Sequence, residues 1–147
     1  MPVTSREWPL SCGLMALVGV AIVAAVVRGI HGDVRMGQRV IEGLAGGNTA
    51  ISRAIRWDRL RTLDVDVGAA YRRLPNDAER RAYEHSFIAQ FAAGFRRAQG
   101  DAKAFTGWRV EGHQNGQTLV AVDYPPHHKT LLLTFGAGRK LEGLQWQ

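Results

Sequence analysis

Hydrophobic and polar positions alternate in several distinct ways along this chain, and the first pattern is a continuous apolar run. Residues 10 to 27 read LSCGLMALVGVAIVAAVV, eighteen positions without a charged side chain. A helix needs about 20 mostly apolar residues to cross the hydrocarbon core of a bilayer. The run therefore predicts a single-pass membrane anchor within residues 1–30, with Trp8 at the headgroup level and Arg28 closing the span.

The apolar run has one alternative interpretation, a cleaved signal peptide. Arg6 would supply the basic start of such a peptide, and Val23-Ala24-Ala25 resembles its small-residue cleavage site. The run is longer than the ~7–15 apolar residues usual in signal peptides, so we favour a retained anchor. Small residues four positions apart also favour packing against a partner helix. The anchor positions that we single out are Leu10, Leu14, Leu17, Ala21 and Ala25.

Helical spacing appears next, after residues 31–36, where Gly32 and the adjoining Gly37 predict a hinge before a domain over 37–147. Apolar residues recur at helical spacing up to Gly46-Gly47-Asn48, which predicts a helix end, and Thr49 opens a second helix. The following stretch is ambiguous. Residues 63–67 alternate as in a short strand, whereas Asp66 is also a suitable cap for a short helix that ends before Pro75.

The strongest helical pattern covers about residues 77–99. Tyr83, Phe87, Phe91 and Phe95 recur every four residues, so one face of this helix is broad, apolar and aromatic. Such a face needs a large flat partner, and we expect a sheet.

Alternation with a period of two follows in the last forty residues or so, and it predicts four strands. They lie at about 108–111, 119–124, 129–135 and 140–146, and Asn115-Gly116 is a strong hairpin signal between the first two. The parity of apolar positions changes in the last strand, which predicts a bulge near Gly143. Together these elements predict an α+β domain, with about three helices packed on a curved antiparallel four-stranded sheet.

Charge changes the picture more than composition does. The chain carries a formal net charge of +6, from 16 arginines and 3 lysines against 13 acidic residues. Basic side chains beside a membrane attract anionic headgroups, and they also suit an acidic protein partner. The sequence contains no nucleic-acid-binding motif, so we expect no nucleic acid. The predicted lipid or partner docking residues are Arg35, Arg39, Arg53, Arg56, Arg59 and Arg61.

Candidate chemistry is sparse. Cys12 is the one cysteine, which leaves no disulfide and no cysteine-based metal site, and no nucleophile-elbow, phosphate-loop or haem-attachment motif is present. His85 would line a pocket with Asp123 or Tyr124 if the helix and sheet enclosed one, as acid–base chemistry requires. An ordinary surface histidine is the simpler interpretation. We therefore expect no enzyme, cofactor or metal.

The order of elements resembles a known family. The segments VIEGLAGGN and TAISRAIRW, the long aromatic helix and the final segment GRKLEGLQW look like the nuclear transport factor 2-like, cystatin-like cone. The resemblance covers about residues 36–147. It implies helices packed in a curved sheet, and its membrane-anchored members imply protein contacts in place of catalysis.

These observations predict a non-enzymatic single-pass subunit of a bacterial inner membrane. Its basic domain would dock on, scaffold or stabilise a larger membrane protein complex, with other membrane subunits and lipid headgroups as partners. The side of the membrane stays open, with the cytoplasmic side slightly favoured by Arg28, Arg35 and Arg39 behind the span. The alternative is a cone that binds a small apolar ligand between the Tyr83–Phe95 helix and the sheet, with an enzyme based on His85 and Asp123 as a weaker variant.

Overall fold

A computed structural model describes the backbone from residue 10 to residue 147 and the side chains from residue 21 onward. Its first element is a single helix, α1 (Leu10–Gly46). The predicted hinge at 31–36 lies inside α1, where the glycines do not interrupt the backbone hydrogen bonding. The helix is long because tertiary packing supports its second half: Gly37 and Gly43 are buried, and a Cβ at Gly37 would contact Trp108.

The prediction of a membrane anchor is wrong. Within the part of the chain that the structure describes, no helix combines the length and the apolar character that a bilayer crossing requires. In α1 the described side chains include Arg28, Asp33 and Arg35. The helix contacts the rest of the domain from Gly32 and Asp33, which lie against Arg139, and Gly37 is its first buried residue. This finding contradicts the span over 1–30 and the single-pass inner-membrane location. Trp8, Leu10, Leu14 and Leu17 lie outside the residues whose side chains the structure describes.

Short elements connect α1 to the next long helix. The predicted second helix is a pair of 3₁₀ helices, Thr49–Ala54 and Trp57–Arg59, and the Asn48 side chain accepts a hydrogen bond from the Ala50 amide at 3.0 Å. Both interpretations of the following stretch are partly correct. Strands β1 (Arg61–Thr62) and β2 (Val65–Asp66) form a hairpin, and Asp66 then caps α2 (Val67–Arg72).

Helix α3 (Asp77–Arg97) confirms the strongest sequence pattern. Asn76 caps it by accepting a hydrogen bond from the Glu79 amide at 2.9 Å. Ile88 and Ala92 are fully buried, and the four aromatic residues of the stripe are half-buried against the core. The aromatic face therefore packs on the core that α1 and the sheet share, whereas the sequence predicted the sheet alone as its partner.

The sheet has six strands in the order β2-β1-β6-β5-β4-β3, so the prediction of a four-stranded antiparallel sheet is wrong. Its long strands are β3 (Thr106–Gln114), β4 (Gln117–Tyr124), β5 (Lys129–Phe135) and β6 (Leu141–Trp146), which pair antiparallel in succession. Strand β1 adds to β6 in parallel, with Arg61 opposite Gly143. Two-residue strands contain no period that a sequence can show, which is why β1 and β2 were not predicted as members of the sheet.

Two local predictions for the sheet are confirmed. Asn115 and Gly116 form the β3–β4 turn with φ of 53° and 74°, the left-handed values that a tight hairpin turn needs. The bulge lies at Glu142, because Phe135 pairs with Leu141 and Thr134 pairs with Gly143. The bulge restores the parity of β6, so that Leu141, Leu144 and Trp146 all face the helices in the core.

Candidate functional site

A large recess in the described part of the protein is a groove that we call the arginine cleft. It has a volume of about 1050 Å³ and lies between the 3₁₀ helices, α2, the start of α3 and the turn before β6. Five cationic and two anionic side chains line it, a formal balance of +3: Arg53, Arg56, Arg72, Arg80 and Lys140 against Asp58 and Glu84. The cations come from four separate elements, so they surround a concave space.

The floor of the arginine cleft is a hydrogen-bonded polar row. Ser52 Oγ donates to Oε2 of Glu84 at 2.5 Å, and the Tyr71 hydroxyl donates to Oε1 of the same carboxylate at 2.7 Å. The Trp57 indole N–H bonds to Ser52 at 3.1 Å. Burial, followed by the hydrogen bond to Glu84, raises the pKa of Tyr71 to about 12. Tyr71 therefore stays a neutral donor, and each oxygen of Glu84 accepts one hydroxyl hydrogen bond within the protein.

The cations around the cleft are weakly compensated. Arg56 lies 3.7 Å from Asp58 and 3.6 Å from Glu142, and Arg80 lies 3.8 Å from Asp77. The pairs of Arg56 with Asp58 and of Arg80 with Asp77 join exposed or partly exposed groups and contribute little, because water screens them. The buried Glu142 offsets part of the charge of Arg56. Within the described residues no carboxylate lies within 4.0 Å of Arg53 or Lys140.

Two further contacts orient the arginines of the cleft. Arg72 donates to the backbone carbonyl of Asp58, and the guanidinium carbon of Arg80 lies 5.7 Å from the centre of the Tyr71 ring. Among the described side chains, the Nε of Arg80 is buried without a hydrogen-bond acceptor. The aromatic ring and the carbonyl therefore hold positive charge in place without neutralising it.

The predicted docking arginines do not form one surface. Arg53 and Arg56 lie in the arginine cleft, whereas Arg59 and Arg61 line a second recess of about 580 Å³ beside β1 and β6. Arg35 and Arg39 are exposed on α1, and Arg39 borders a small recess at the end of that helix. Arginines that are close in sequence therefore lie on two different sides of the domain.

Several residues of the site were not singled out from the sequence, among them the charged residues Arg72, Arg80, Glu84 and Lys140. They are distant in sequence from Arg53, and nothing in their neighbourhood distinguishes them from ordinary surface charges. Glu142 was also missed. It is buried at 7% exposure, accepts a hydrogen bond from Gln117 Nε2 at 2.7 Å, and lies behind Arg56. The bulge that places Glu142 was predicted, but its burial was not.

The alternative pocket residues lie apart. His85 is exposed on α3, whereas Tyr124 is buried and its hydroxyl accepts a hydrogen bond from the Asp101 amide at 3.2 Å. Asp123 precedes Tyr124 on β4, where successive side chains point to opposite faces. Its carboxylate accepts hydrogen bonds from Thr130 and Arg109, which lower the pKa of Asp123. The structure therefore does not unite His85 and Asp123 in an acid–base pair.

The interior between helix α3 and the sheet is nearly filled. A space of about 40 Å³ remains there, bordered by apolar side chains such as Phe91, Phe95 and Trp146. A drug-sized ligand needs a site of roughly 300–1,000 Å³. Among the described residues, no three histidine, cysteine or acidic side chains are grouped as metal ligands would be.

The chain was also compared with known proteins. No protein-family model, curated protein or solved structure matches it. The resemblance to the nuclear transport factor 2-like cone accordingly stays a prediction, and the geometry of the arginine cleft is the main guide to function.

Proposed function

We propose that this protein is a non-enzymatic docking domain whose arginine cleft binds an acidic segment of a partner protein. The observation that carries the proposal is the excess of five cations over two carboxylates around one concave space. Folding normally places opposite charges near each other, and here the closest pairs of Arg56 and Arg80 are 3.6 Å or longer. An acidic ligand would provide the missing partners.

The dimensions of the two available spaces favour a protein segment. The arginine cleft of about 1050 Å³ is wide and open to solvent, whereas the apolar interior offers about 40 Å³. A small apolar ligand therefore lacks room inside the domain, and an extended chain fits the groove. We do not propose membrane subunits or lipid headgroups as partners, because that prediction depended on the membrane anchor.

The docking role also agrees with the chemistry of the floor. Glu84, Ser52 and Tyr71 are hydrogen-bonded to one another, so none of them is positioned as a free base or nucleophile. We regard this hydrogen bonding as support for binding over catalysis.

The test is a binding titration with a defined acidic probe. A fluorescein-labelled oligoglutamate peptide is added to the full chain, and its fluorescence anisotropy is followed at several salt concentrations. We expect saturable binding that weakens as salt rises, since surface ion pairs are screened over ~10 Å at 0.1 M salt. The double variant Arg53→Gln/Lys140→Gln should weaken binding by roughly tenfold, about 1.4 kcal/mol.

A matched control separates the cleft from total charge. Arg97→Gln/Lys129→Gln removes the same two charges from exposed residues that do not line the groove. We expect this control to retain nearly all affinity. Equal weakening in both double variants would show that net charge alone attracts the peptide, and absence of any saturable binding would overturn the docking function.

A further inference from the structure

The cations of the arginine cleft converge on one volume from different directions. Arg53 and Arg56 approach from the 3₁₀ helices, Arg80 from α3 and Lys140 from the turn before β6. A carboxylate has two oxygens and suits one or two guanidinium groups. A phosphoryl group has three terminal oxygens and carries about −1.5 to −2 charges at pH 7, so it suits several cations at once.

The donor chemistry points the same way. Four of the five cations are arginines, whose planar guanidinium groups bind phosphate oxygens in bidentate geometry. Arg53 and Lys140 are exposed and have no ion-pair partner among the described residues, so they are available to a ligand. Arg80 is held over the Tyr71 ring, which fixes its direction before a ligand arrives.

The Glu84 carboxylate in the cleft is hydrogen-bonded to neighbouring side chains. Glu84 accepts from both Ser52 and Tyr71, so its oxygens face neighbouring hydroxyls. A single carboxylate would leave the +3 lining with two uncompensated charges, whereas a dianion would leave about one. Resting on the docking function proposed above, we infer that the arginine cleft recognises a phosphoryl group, carried by a serine or threonine of the partner segment.

Arg56 sets the strength of this site through a competing contact. Its guanidinium lies 3.6 Å from the buried Glu142 and 3.7 Å from Asp58, so these acids and the ligand share one cation. The side chain of Glu142 is 6% exposed and cannot reach solvent as an alternative. Glu142→Gln removes the competing charge at nearly constant shape, and it should tighten phosphoryl binding a few-fold.

The experiment compares three probes on the full chain by fluorescence anisotropy and calorimetry. They are a peptide with one phosphoserine, the same peptide with glutamate at that position, and inorganic phosphate as a competitor. We expect the phosphopeptide to bind at least tenfold more tightly than the glutamate peptide and phosphate to displace it. The Arg53→Gln/Lys140→Gln variant should lose most of this preference, and Arg97→Gln/Lys129→Gln should keep it.

Each outcome decides between the two proposals. Equal affinity for the two peptides would overturn phosphoryl recognition and leave the docking of acidic segments intact. Binding of inorganic phosphate without binding of either peptide would support a phosphoryl site that takes free phosphate compounds. The same result would overturn the docking of a protein segment. Binding of none of the three probes would overturn both.

Discussion

The hydrogen bond between Tyr71 and Glu84 allows the sharpest test of how the floor of the arginine cleft is built. Tyr71→Phe removes one hydroxyl that donates at 2.7 Å to a carboxylate and leaves the ring contacts with Trp57 and Tyr83 in place. A hydrogen bond to a charged group contributes about 1.5–3 kcal/mol. Tyr71 is partly exposed and Glu84 keeps its bond to Ser52. We therefore expect a loss of about 1–2 kcal/mol in the free energy of unfolding.

The same bond predicts a pH dependence with a definite sign. The folded-state pKa of Tyr71 is about 12 and the ordinary value is 10.0, so the neutral form is favoured in the folded protein. Stability from this group is fully present below pH 10 and is lost as pH rises from 10 towards 12. The phenylalanine variant has no proton to lose at this position, so its stability should fall less steeply over that interval than that of the wild type.

Urea denaturation followed by far-ultraviolet circular dichroism at pH 7 and at points between pH 10 and 12 measures both effects. Tyr83→Phe is the matched control, since the described structure gives its hydroxyl no hydrogen bond while its ring packs beside that of Tyr71. We expect the control to stay within about 0.5 kcal/mol of the wild type. An unchanged Tyr71→Phe midpoint at pH 7, or an undiminished alkaline loss in that variant, would refute the reasoning.

Four further substitutions test the fold by the same urea assay. Leu133→Ala empties a fully buried core position on β5 and should cost about 2–5 kcal/mol, so a loss under 1 kcal/mol would contradict its place in the core. Gly68→Ala should lower the free energy of unfolding, because its Cβ would approach the Asp58 carbonyl oxygen to 2.6 Å. Gly94→Ala in α3 meets nothing within 4 Å and should raise the free energy of unfolding by about 0.5–1 kcal/mol. A change of the same sign in both variants would contradict the packing. Asp64→Gly should stabilise by a similar amount, since Asp64 has φ of 72° in the β1–β2 turn, and a loss of stability would show that its side chain matters there.

Local sequence patterns predicted those parts of the fold whose information is local. The period of the α3 stripe and the Asn115-Gly116 turn each depend on residues within a few positions of one another, and the structure has both. The parallel pairing of β1 with β6 joins Arg61 to Gly143, and two residues carry no period that would reveal it. The sheet was therefore predicted with too few strands and without its parallel pair.

The apolar run at 10–27 shows a different reason for failure. Counting uncharged positions treats the run as an isolated segment, whereas helix α1 continues unbroken to Gly46. Its described part carries Arg28, Asp33 and Arg35 and then packs on the sheet from Gly37 onward. Gly32 and Gly37 led to the wrong prediction of a hinge, since glycine lowers helix propensity by about 1 kcal/mol and packing outweighs that cost here.

The arginine cleft could be predicted only in part, because its net charge depends on which acidic residues the fold places beside its cations. The sequence singled out Arg53 and Arg56 as docking residues but not the acids that lie beside them. In the structure Asp58 and Glu84 line the groove together with five cations, and the buried Glu142 lies 3.6 Å from Arg56, so the acids offset only part of the positive charge. A chain that carries a surplus of six positive charges can still neutralise any one cluster locally. Here five cations face two acids in one groove, and this surplus of positive charge makes the cleft suited to an anionic partner.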